Sequence, residues 1–312
     1  MSVLGVFLAA CEPMPAAASG ILQPCTSTTP EANPYRAMIH PQVKSLYPQW
    51  VQNQSNSTIP QTLKNQAFTL LVDQVRRWSS FVDIPVDNAN IIRITLTYIS
   101  PELTQIMILN HQLYKNPLSE IDFENTLRTK MIEVAEREEL IFLMTITYSQ
   151  PANQIAIQNS ITLNIPINEL TLTNAENMHI NANHVDPPLR QEIVISRGPS
   201  TGYIAFPIGV ETFGNCTQVL ESRWNTVINI SMSGITVNGN EYAPQLSWSF
   251  KYHPLIEMDG GIISPSVNYA SPAGIPIDYQ PPPPVRVTST GQPDSSYWEQ
   301  MALYIWGYVT DP

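Results

Sequence analysis

The feature that most constrains the fold of this chain is the succession of short strand patterns after residue 154. Runs rich in Ile, Val, Thr and aromatic residues alternate there with turn-forming residues. The predicted strands span residues 154–158, 161–167, 169–173, 191–196, 203–209, 217–232, 234–238 and 241–252. Strands that follow one another at short intervals are typical of an antiparallel β-sandwich. We therefore expect residues 151–265 to form such a sandwich.

The pair Asn238-Gly239 is the strongest turn signal in this half of the chain. It lies between two predicted strands. A two-residue type I′ turn requires positive φ at both central positions, and Asn followed by Gly meets that requirement best. The sequence therefore predicts a β-hairpin at this point.

Two amphipathic helices are predicted in the first half, over residues 61–82 and 119–137. In both segments apolar side chains recur at spacings of three and four residues, which indicates one buried face. Ser119 followed three residues later by Asp122 resembles a capping box at the start of the second helix. We expect the two helices to pack on strands of the same region, residues 61–150.

The strands of this region show two different patterns. Residues 91–99 alternate between apolar and polar side chains, which predicts a half-buried strand. Residues 140–148 are apolar on both faces, which predicts a central strand that is covered on both sides. Residues 103–114 are apolar but fit either a helix or a strand.

A short apolar run at the beginning of the chain ends in Leu8-Ala9-Ala10-Cys11. This tetrapeptide resembles the lipobox of bacterial lipoproteins. The resemblance implies that residues 1–11 are a signal, that Cys11 is acylated, and that a lipid holds the protein in the cell envelope. Residues 12–60 are rich in Pro, Ser, Thr and Asn and are predicted to be a tether and a loop. Because no Lys or Arg precedes Cys11, we expect the translation start to lie upstream.

Two further cysteines remain if Cys11 carries lipid. Cys25 and Cys216 can form a disulfide in an oxidising compartment. The alternative is two separate thiols, because the sequence does not reveal whether the two Cα atoms come within the 4.4–6.8 Å that a disulfide usually needs.

The charge of the chain limits its partners. The net charge is −11 and only 13% of the residues are charged. Nucleic acids and anionic membranes are bound by clustered Lys and Arg, so neither is an expected partner. No stretch after the signal approaches the ~20 apolar residues of a membrane span. Since the common Gly-rich phosphate-binding motifs are also missing, we expect no cofactor.

Residues 169–210 show a recognisable order of strands and loops. A strand leads to Asn174, a loop contains Val185-Asp186-Pro187-Pro188-Leu189, and Gly202-Tyr203-Ile204-Ala205-Phe206 follows. This order loosely resembles the immunoglobulin-like accessory domains of bacterial surface lipoproteins. The resemblance implies an immunoglobulin-like sandwich and brings no catalytic residues with it.

One stretch of the sequence matches the sequence pattern of a catalytic motif. Residues 198–202 read G-x-S-x-G, with Ser200 in the nucleophile position. A nucleophile elbow requires a helix after the serine, but the residues that follow read as a strand. A hairpin loop is therefore favoured over a hydrolase site.

A metal site is the second chemical alternative. His179 and His184 lie near Asp186, but their spacing differs from the helical i, i+4 pair of zinc proteases. The acidic residues near the end of the second helix, Glu133, Glu136, Glu138 and Glu139, raise the same question. We interpret the first group as a polar loop and the second as a solvated helix end, so no metal site is predicted.

The C-terminal region, residues 266–312, is a Pro-rich extension followed by a dense aromatic segment. The consecutive prolines 281–284 favour an extended polyproline helix that acts as a stiff connector. Leu303 to Val309 are predicted to form a final strand docked on the body, because such rings favour burial. The alternative is an exposed aromatic platform formed by Trp298 and Trp306.

Together these observations predict an α+β protein that is mainly an antiparallel, immunoglobulin-like β-sandwich with two N-terminal helices. We expect a non-enzymatic, extracytoplasmic envelope lipoprotein that scaffolds or binds a protein partner, either on its own or as a subunit of a membrane-associated complex. Two alternatives stay open. One is a carbohydrate- or peptide-binding module that uses Trp298 and Trp306, and the other is a hydrolase at Ser200.

Overall fold

A computed structural model gives the architecture of the chain. It describes residues 22, 24, 25, 43, 46, 61–86, 91–114, 119–135, 139–149, 161–166, 169–189, 193–195, 199–212, 215–219, 226–252, 256–258, 261–263 and 295–310. The predictions for the signal with Cys11, for the strand at 154–158 and for the prolines 281–284 lie outside these residues.

A five-stranded antiparallel sheet, sheet A, is the centre of the fold. Its strand order is β1-β2-β3-β9-β7. The strands are β1 Ser79–Pro85, β2 Ile91–Tyr98, β3 Glu139–Ser149, β7 His184–Val185 and β9 Ser200–Pro207. The prediction of a central strand near residues 140–148 is confirmed, because β3 lies third of the five and its middle residues are buried on both faces.

Among the described residues, four α-helices have both ends defined. They are α1 Gln61–Arg77, α2 Pro101–Tyr114, α3 Glu120–Ala135 and α4 Ser295–Thr310. Helix α2 settles the ambiguous segment as helical, and α1 packs against both α2 and α4. Ser119 caps α3 as predicted, but the Asp122 carboxylate bonds to the Ser119 hydroxyl, where a capping box would bond to the Ser119 amide. The amide of Asp122 donates to Ser119 Oγ at 3.2 Å, and that hydroxyl donates to the Asp122 carboxylate at 2.6 Å.

The first helix is shorter than predicted. It ends at Arg77 rather than near residue 82, and the chain continues directly into β1. The reason is that Trp78 already accepts a hydrogen bond from the amide of Tyr98 at 2.8 Å, so pairing with β2 begins where the helix ends. Val82 is buried as predicted, but it is buried from a strand.

The second half of the chain forms two four-stranded antiparallel sheets. Sheet B has the order β15-β12-β5-β6, and sheet C has the order β14-β13-β4-β8. Their strands are β4 Ile161–Asn164, β5 Thr171–Thr173, β6 His179–Asn181, β8 Ile193–Ile195, β12 Thr226–Met232, β13 Thr236–Val237, β14 Asn240–Glu241 and β15 Leu246–Tyr252. Two hairpins, β10 Gly209–Thr212 with β11 Asn215–Gln218 and β16 Ile256–Met258 with β17 Gly261–Ile263, complete the described strands. The protein is thus a mixed α+β fold with several antiparallel sheets.

The predicted hairpin at Asn238-Gly239 is confirmed. β13 and β14 pair in antiparallel fashion around it. Asn238 has φ 50° and Gly239 has φ 77°, the positive values that a type I′ turn requires.

The core lies between sheet A and sheet B. The rings of Phe142 in β3 and Phe250 in β15 are 5.4 Å apart, and Phe142 also contacts Tyr98 and Phe206. The indole of Trp248 donates to the carbonyl oxygen of Ile94 at 3.1 Å, which satisfies its one polar atom inside the core. Sheet A therefore presents an apolar face to sheet B.

The opposite face of sheet A is polar and yet buried. The strand predicted to be half-buried, β2, is buried along all but its first residue. Its polar side chains find partners inside the protein. Arg93 pairs with Asp83, and the hydroxyls of Thr97 and Ser79 lie 2.6 Å apart. Because these side chains of β2 have partners inside the protein, the strand does not need water on this face, and the half-buried prediction was wrong.

The segment around Ser200 is not a hairpin loop. Ser200 is the first residue of β9, which pairs with β3 in sheet A, whereas the preceding strand β8 belongs to sheet C. The two strands that flank the G-x-S-x-G letters therefore lie in different sheets. The local pattern suggested a hairpin because it does not encode which distant strand each segment joins.

The C-terminal segment is a helix and not the predicted strand over Leu303 to Val309. Trp298, Met301, Ala302 and Ile305 recur at a spacing of three and four residues, and all four side chains are buried. This spacing makes one apolar stripe of a helix. The β-propensity of the aromatic residues favoured a strand, but the packing of this stripe decides the outcome.

Candidate functional site

The N-terminal end of the described chain is fastened to the body at one corner. Cys25 and Cys216 form a disulfide with their Cα atoms 5.6 Å apart. Beside it, Pro24 forms a β-bridge with Val210, and the amide of Cys25 donates to the carbonyl oxygen of Gly209 at 3.2 Å. We call Pro24, Cys25 and the β10–β11 hairpin the disulfide corner.

The disulfide corner is rooted in the core. Val210 in β10 and Val219 after β11 are both fully buried. The amide of Val219 donates to Ile208 at 2.8 Å, and its carbonyl oxygen accepts from the side chain of Asn174 at 2.9 Å. The covalent bond therefore fixes Cys25 to a rigid part of the molecule. Sequence reasoning had left open whether these two cysteines meet.

A second site, missed by sequence reasoning, lies where α4 covers the polar face of sheet A. Two hydrogen bonds join Arg93 to Asp83, from Nε at 2.7 Å and from Nη2 at 2.9 Å. The Arg93 guanidinium also stacks on two rings, 4.4 Å from the centroid of Phe81 and 5.0 Å from that of Tyr297. We call these four residues, with Thr95, the helix dock.

Tyr297 ties α4 to this site. Its hydroxyl shares a hydrogen bond with Thr95, and its ring contacts that of Trp298 edge-on. Burial raises the pKa of Tyr297 to about 12, although the hydrogen bond with Thr95 and the Arg93 charge act in the opposite direction. The phenol is therefore neutral at physiological pH. A sequence signal for this site was the opposite charges of Asp83 and Arg93, but the strand that carries Asp83 was not predicted.

The helix dock also bears on the hypothesis of an exposed aromatic platform. Trp298 is 5% exposed, and its ring lies 6.3 Å from that of Phe81. It cannot form part of an exposed aromatic platform, so that alternative is wrong for Trp298. The side chain of Trp306 lies outside the described residues.

Ser200 has the surroundings of a strand residue. It pairs with Ile146 of β3, and the strand continues to Pro207. A nucleophile elbow places its serine on a sharp turn between a strand and a helix. Ser200 is not on such a turn.

Of the three residues of the metal alternative, His184 and Asp186 bond to each other, whereas His179 has a different partner. His179 Nδ1 lies 3.1 Å from the hydroxyl of Thr173. His184 Nε2 lies 3.2 Å from Asp186 Oδ1, and Asp186 Oδ2 accepts from the amide of Tyr203 at 2.7 Å. Asp186 thus holds the loop against β9.

The acidic group near the end of α3 is described only at Glu139. Its carboxylate accepts from the side chain of Asn183 at 2.8 Å, across the strand ends. Glu133, Glu136 and Glu138 lie outside the described side chains. Among the residues that the structure describes, no three His, Cys, Asp or Glu side chains form a group that could hold a metal ion.

Within the described part of the chain, no helix is both long and apolar enough to cross a bilayer. No protein-family model, no curated protein and no solved structure matches the chain.

Proposed function

We propose that this chain is an extracytoplasmic, lipid-anchored protein of a bacterial cell envelope, with Cys11 as the acylated residue. The disulfide corner carries the proposal. Disulfides persist in oxidising compartments outside the cytoplasm and are rare inside it. Here the bond joins Cys25 to Cys216 and leaves Cys11 as the third cysteine of the sequence. The disulfide favours an oxidising compartment, and the lipobox-like tetrapeptide ahead of the body favours the cell envelope. Both therefore support the same extracytoplasmic location.

We further propose that the body scaffolds or binds a protein partner without catalysis. Residues that the sequence offered as candidates for catalysis or binding have structural roles in the fold. Asp186 anchors a loop through the amide of Tyr203, and Trp298 packs inside the helix dock. The low share of charged residues, 13%, fits a surface that recognises another protein rather than nucleic acid.

The finer fold assignment also stays a proposal. We propose that sheets A and B together represent the immunoglobulin-like sandwich implied by residues 169–210. These residues supply β5 and β6 to sheet B and β7 and β9 to sheet A, and the rings of Phe142 and Phe250 meet between the two sheets. A crystal structure in which sheets A and B do not face each other across a shared core would refute this assignment.

The lipid anchor is tested in the native host. Metabolic labelling with an alkyne fatty acid, followed by mass spectrometry of the mature N-terminus, should find acylated Cys11 as the first residue. Cys11→Ser should abolish the label and release the protein from membranes. Cys25→Ser is the matched control, since it removes a cysteine outside the lipobox and should keep the label. An intact Met1 with an unmodified Cys11 would overturn the proposal.

The binding role is tested separately. Chemical cross-linking in native membranes should join the wild-type protein to a discrete envelope protein, and Cys11→Ser should lose most of that product because it no longer shares the membrane. A wild-type protein that is acylated but stays monomeric and free of cross-links would contradict the binding role and leave the anchor intact.

A further inference from the structure

We infer that the disulfide corner is the membrane-proximal end of the body and that the Cys25–Cys216 bond sets this orientation by shortening the tether. The inference rests on the proposed acylation of Cys11. The bond fixes the chain at Cys25, which follows Cys11 by 14 residues. The length of the free tether therefore depends on this covalent link.

The reach of that tether has an upper limit. At 3.3–3.6 Å per residue, 14 residues span at most about 50 Å, whatever their conformation. A compact body of about 300 residues has a radius of gyration of roughly 20 Å, and so a diameter of about 50 Å. A chain that runs around such a body from one pole to the other needs roughly 80 Å. The tether is too short for this path, so the disulfide corner cannot face away from the membrane.

Without the disulfide, the described contacts of this segment with the body are noncovalent: the packing of Leu22 on the core and the backbone bonds of Pro24 and Cys25. The limit disappears when these contacts open. The next described residue that is buried in the core is Val43, which is fully inaccessible to solvent. Thirty-two residues separate it from Cys11, and a tether of that length reaches about 110 Å. Such a tether passes around the whole body. The disulfide thus makes permanent a short attachment that noncovalent contacts alone can release, and so holds a single end near the bilayer.

The charge of the corner supports the tether, rather than attraction to anionic lipid, as the cause of the orientation. Residues 207–220 contain no Lys or Arg, and their one charged side chain is the exposed Glu211. Anionic headgroups attract clustered basic residues, and this surface has none. The orientation should therefore be insensitive to the content of anionic lipid.

The test uses the full, acylated protein in vesicles that contain a headgroup-labelled acceptor lipid. A donor dye is attached through an azide-bearing residue at Glu211, in the corner, or at the exposed reference sites Ile121 and Glu241. We expect energy transfer to be highest from Glu211, by about twofold over both reference sites. The ranking should be the same in phosphatidylcholine vesicles and in vesicles that also contain phosphatidylglycerol.

Two variants separate the tether from other causes. In Cys25→Ser/Cys216→Ser, the ratio of energy transfer from Glu211 to that from the reference sites should fall toward one. An insertion of about 20 Gly and Ser residues before Leu22, ahead of the described contacts of the segment, should have the same effect with the disulfide intact. Equal or lower transfer from Glu211 in an acylated wild-type sample would overturn the inference. Mass spectrometry of that sample reports acylation independently, so failure of the anchor is distinguished from failure of the orientation.

Discussion

The Asp83–Arg93 pair is buried, and burial of two charges carries a large desolvation penalty that good geometry must offset. Here the geometry is bidentate, and two aromatic rings flank the guanidinium. The pair joins β1 to β2 at one register position and offers Tyr297 a cation to stack on. Its structural role is thus to connect the sheet to the last helix.

We expect Arg93→Met to lower the free energy of unfolding by about 3–5 kcal/mol, because the Asp83 carboxylate stays buried without the guanidinium. Urea unfolding measures this loss. Adding Asp83→Leu to Arg93→Met should recover most of it, since both charges are then absent. Arg128→Met is the matched control. It removes an exposed i, i+4 pair with Glu124 and should change stability by less than about 0.5 kcal/mol. Equal losses in the two single variants would contradict the role of the buried pair.

The raised pKa of Tyr297 predicts a loss of stability at high pH. In the unfolded chain a tyrosine loses its proton near pH 10, whereas Tyr297 in the folded chain keeps it to about pH 12. The folded state therefore binds more protons in this window, and stability falls as pH rises from about 10 to 12, by up to about 3 kcal/mol. The contribution is complete below pH 10.

Urea unfolding of the wild type and of Tyr297→Phe at pH 9 and pH 11 checks this prediction. The variant lacks the titrating phenol, so its stability should decline less over this interval than that of the wild type. Parallel declines in the two proteins would show that other groups cause the alkaline loss.

At the level of elements, the sequence correctly predicted the helix start, turn and strand that depend on residues close together in the chain. Three elements were correctly located, because residues within each segment determine them. They are the Ser119 cap of α3, the Asn238-Gly239 turn and the apolar strand β3. The end of α1 was misplaced, since Trp78 and Val82 fit a helical stripe as well as a strand. α4 was mistaken for a strand because aromatic content outweighed its three- and four-residue spacing.

The 3₁₀ turn Pro187–Leu189 packs on β9 through a position that only glycine fits. A Cβ on Gly202 would lie 2.7 Å from Leu189 Cγ. We expect Gly202→Ala to cost about 1–3 kcal/mol through overpacking. Gly239→Ala is the matched control. Its Cβ would meet no atom within 4 Å, and it should cost about 1 kcal/mol because its φ is +77°.

Urea unfolding of double variants with Leu189→Ala separates the two mechanisms. Removing the Leu189 side chain should relieve the strain of Gly202→Ala, so the two changes should be less than additive. With Gly239→Ala, which lies elsewhere, the two changes should be additive within about 0.5 kcal/mol. Additivity in both pairs would refute the steric account of Gly202.

At the scale of the whole molecule, the arrangement of the sheets is the part that sequence patterns did not reveal. β9 belongs to the second half of the chain but pairs with β3, so sheet A contains strands from both sides of residue 150. A strand pattern predicts the strand and not its distant partner. The same holds for the helix dock, where Tyr297 meets Arg93 across about two hundred residues, and for the disulfide corner.

The disulfide is expected to stabilise the whole fold. It connects residues 191 positions apart, and closing so long a loop restricts the unfolded chain strongly. Cys25→Ser/Cys216→Ser should lower the free energy of unfolding by about 2–5 kcal/mol. A reductant should reduce the stability of the wild type by a similar amount and leave the double variant unchanged. A wild type whose urea midpoint does not respond to complete reduction would contradict this prediction.

The pairing of β3 with β9 imposes an order on synthesis. β3 ends at Ser149 and β9 begins at Ser200, so a growing chain presents one edge of an apolar central strand while fifty further residues are made. An open edge of this kind can pair with other chains and cause aggregation. The nascent protein is therefore most vulnerable between these two points, and a chaperone that shields this edge would act during that interval.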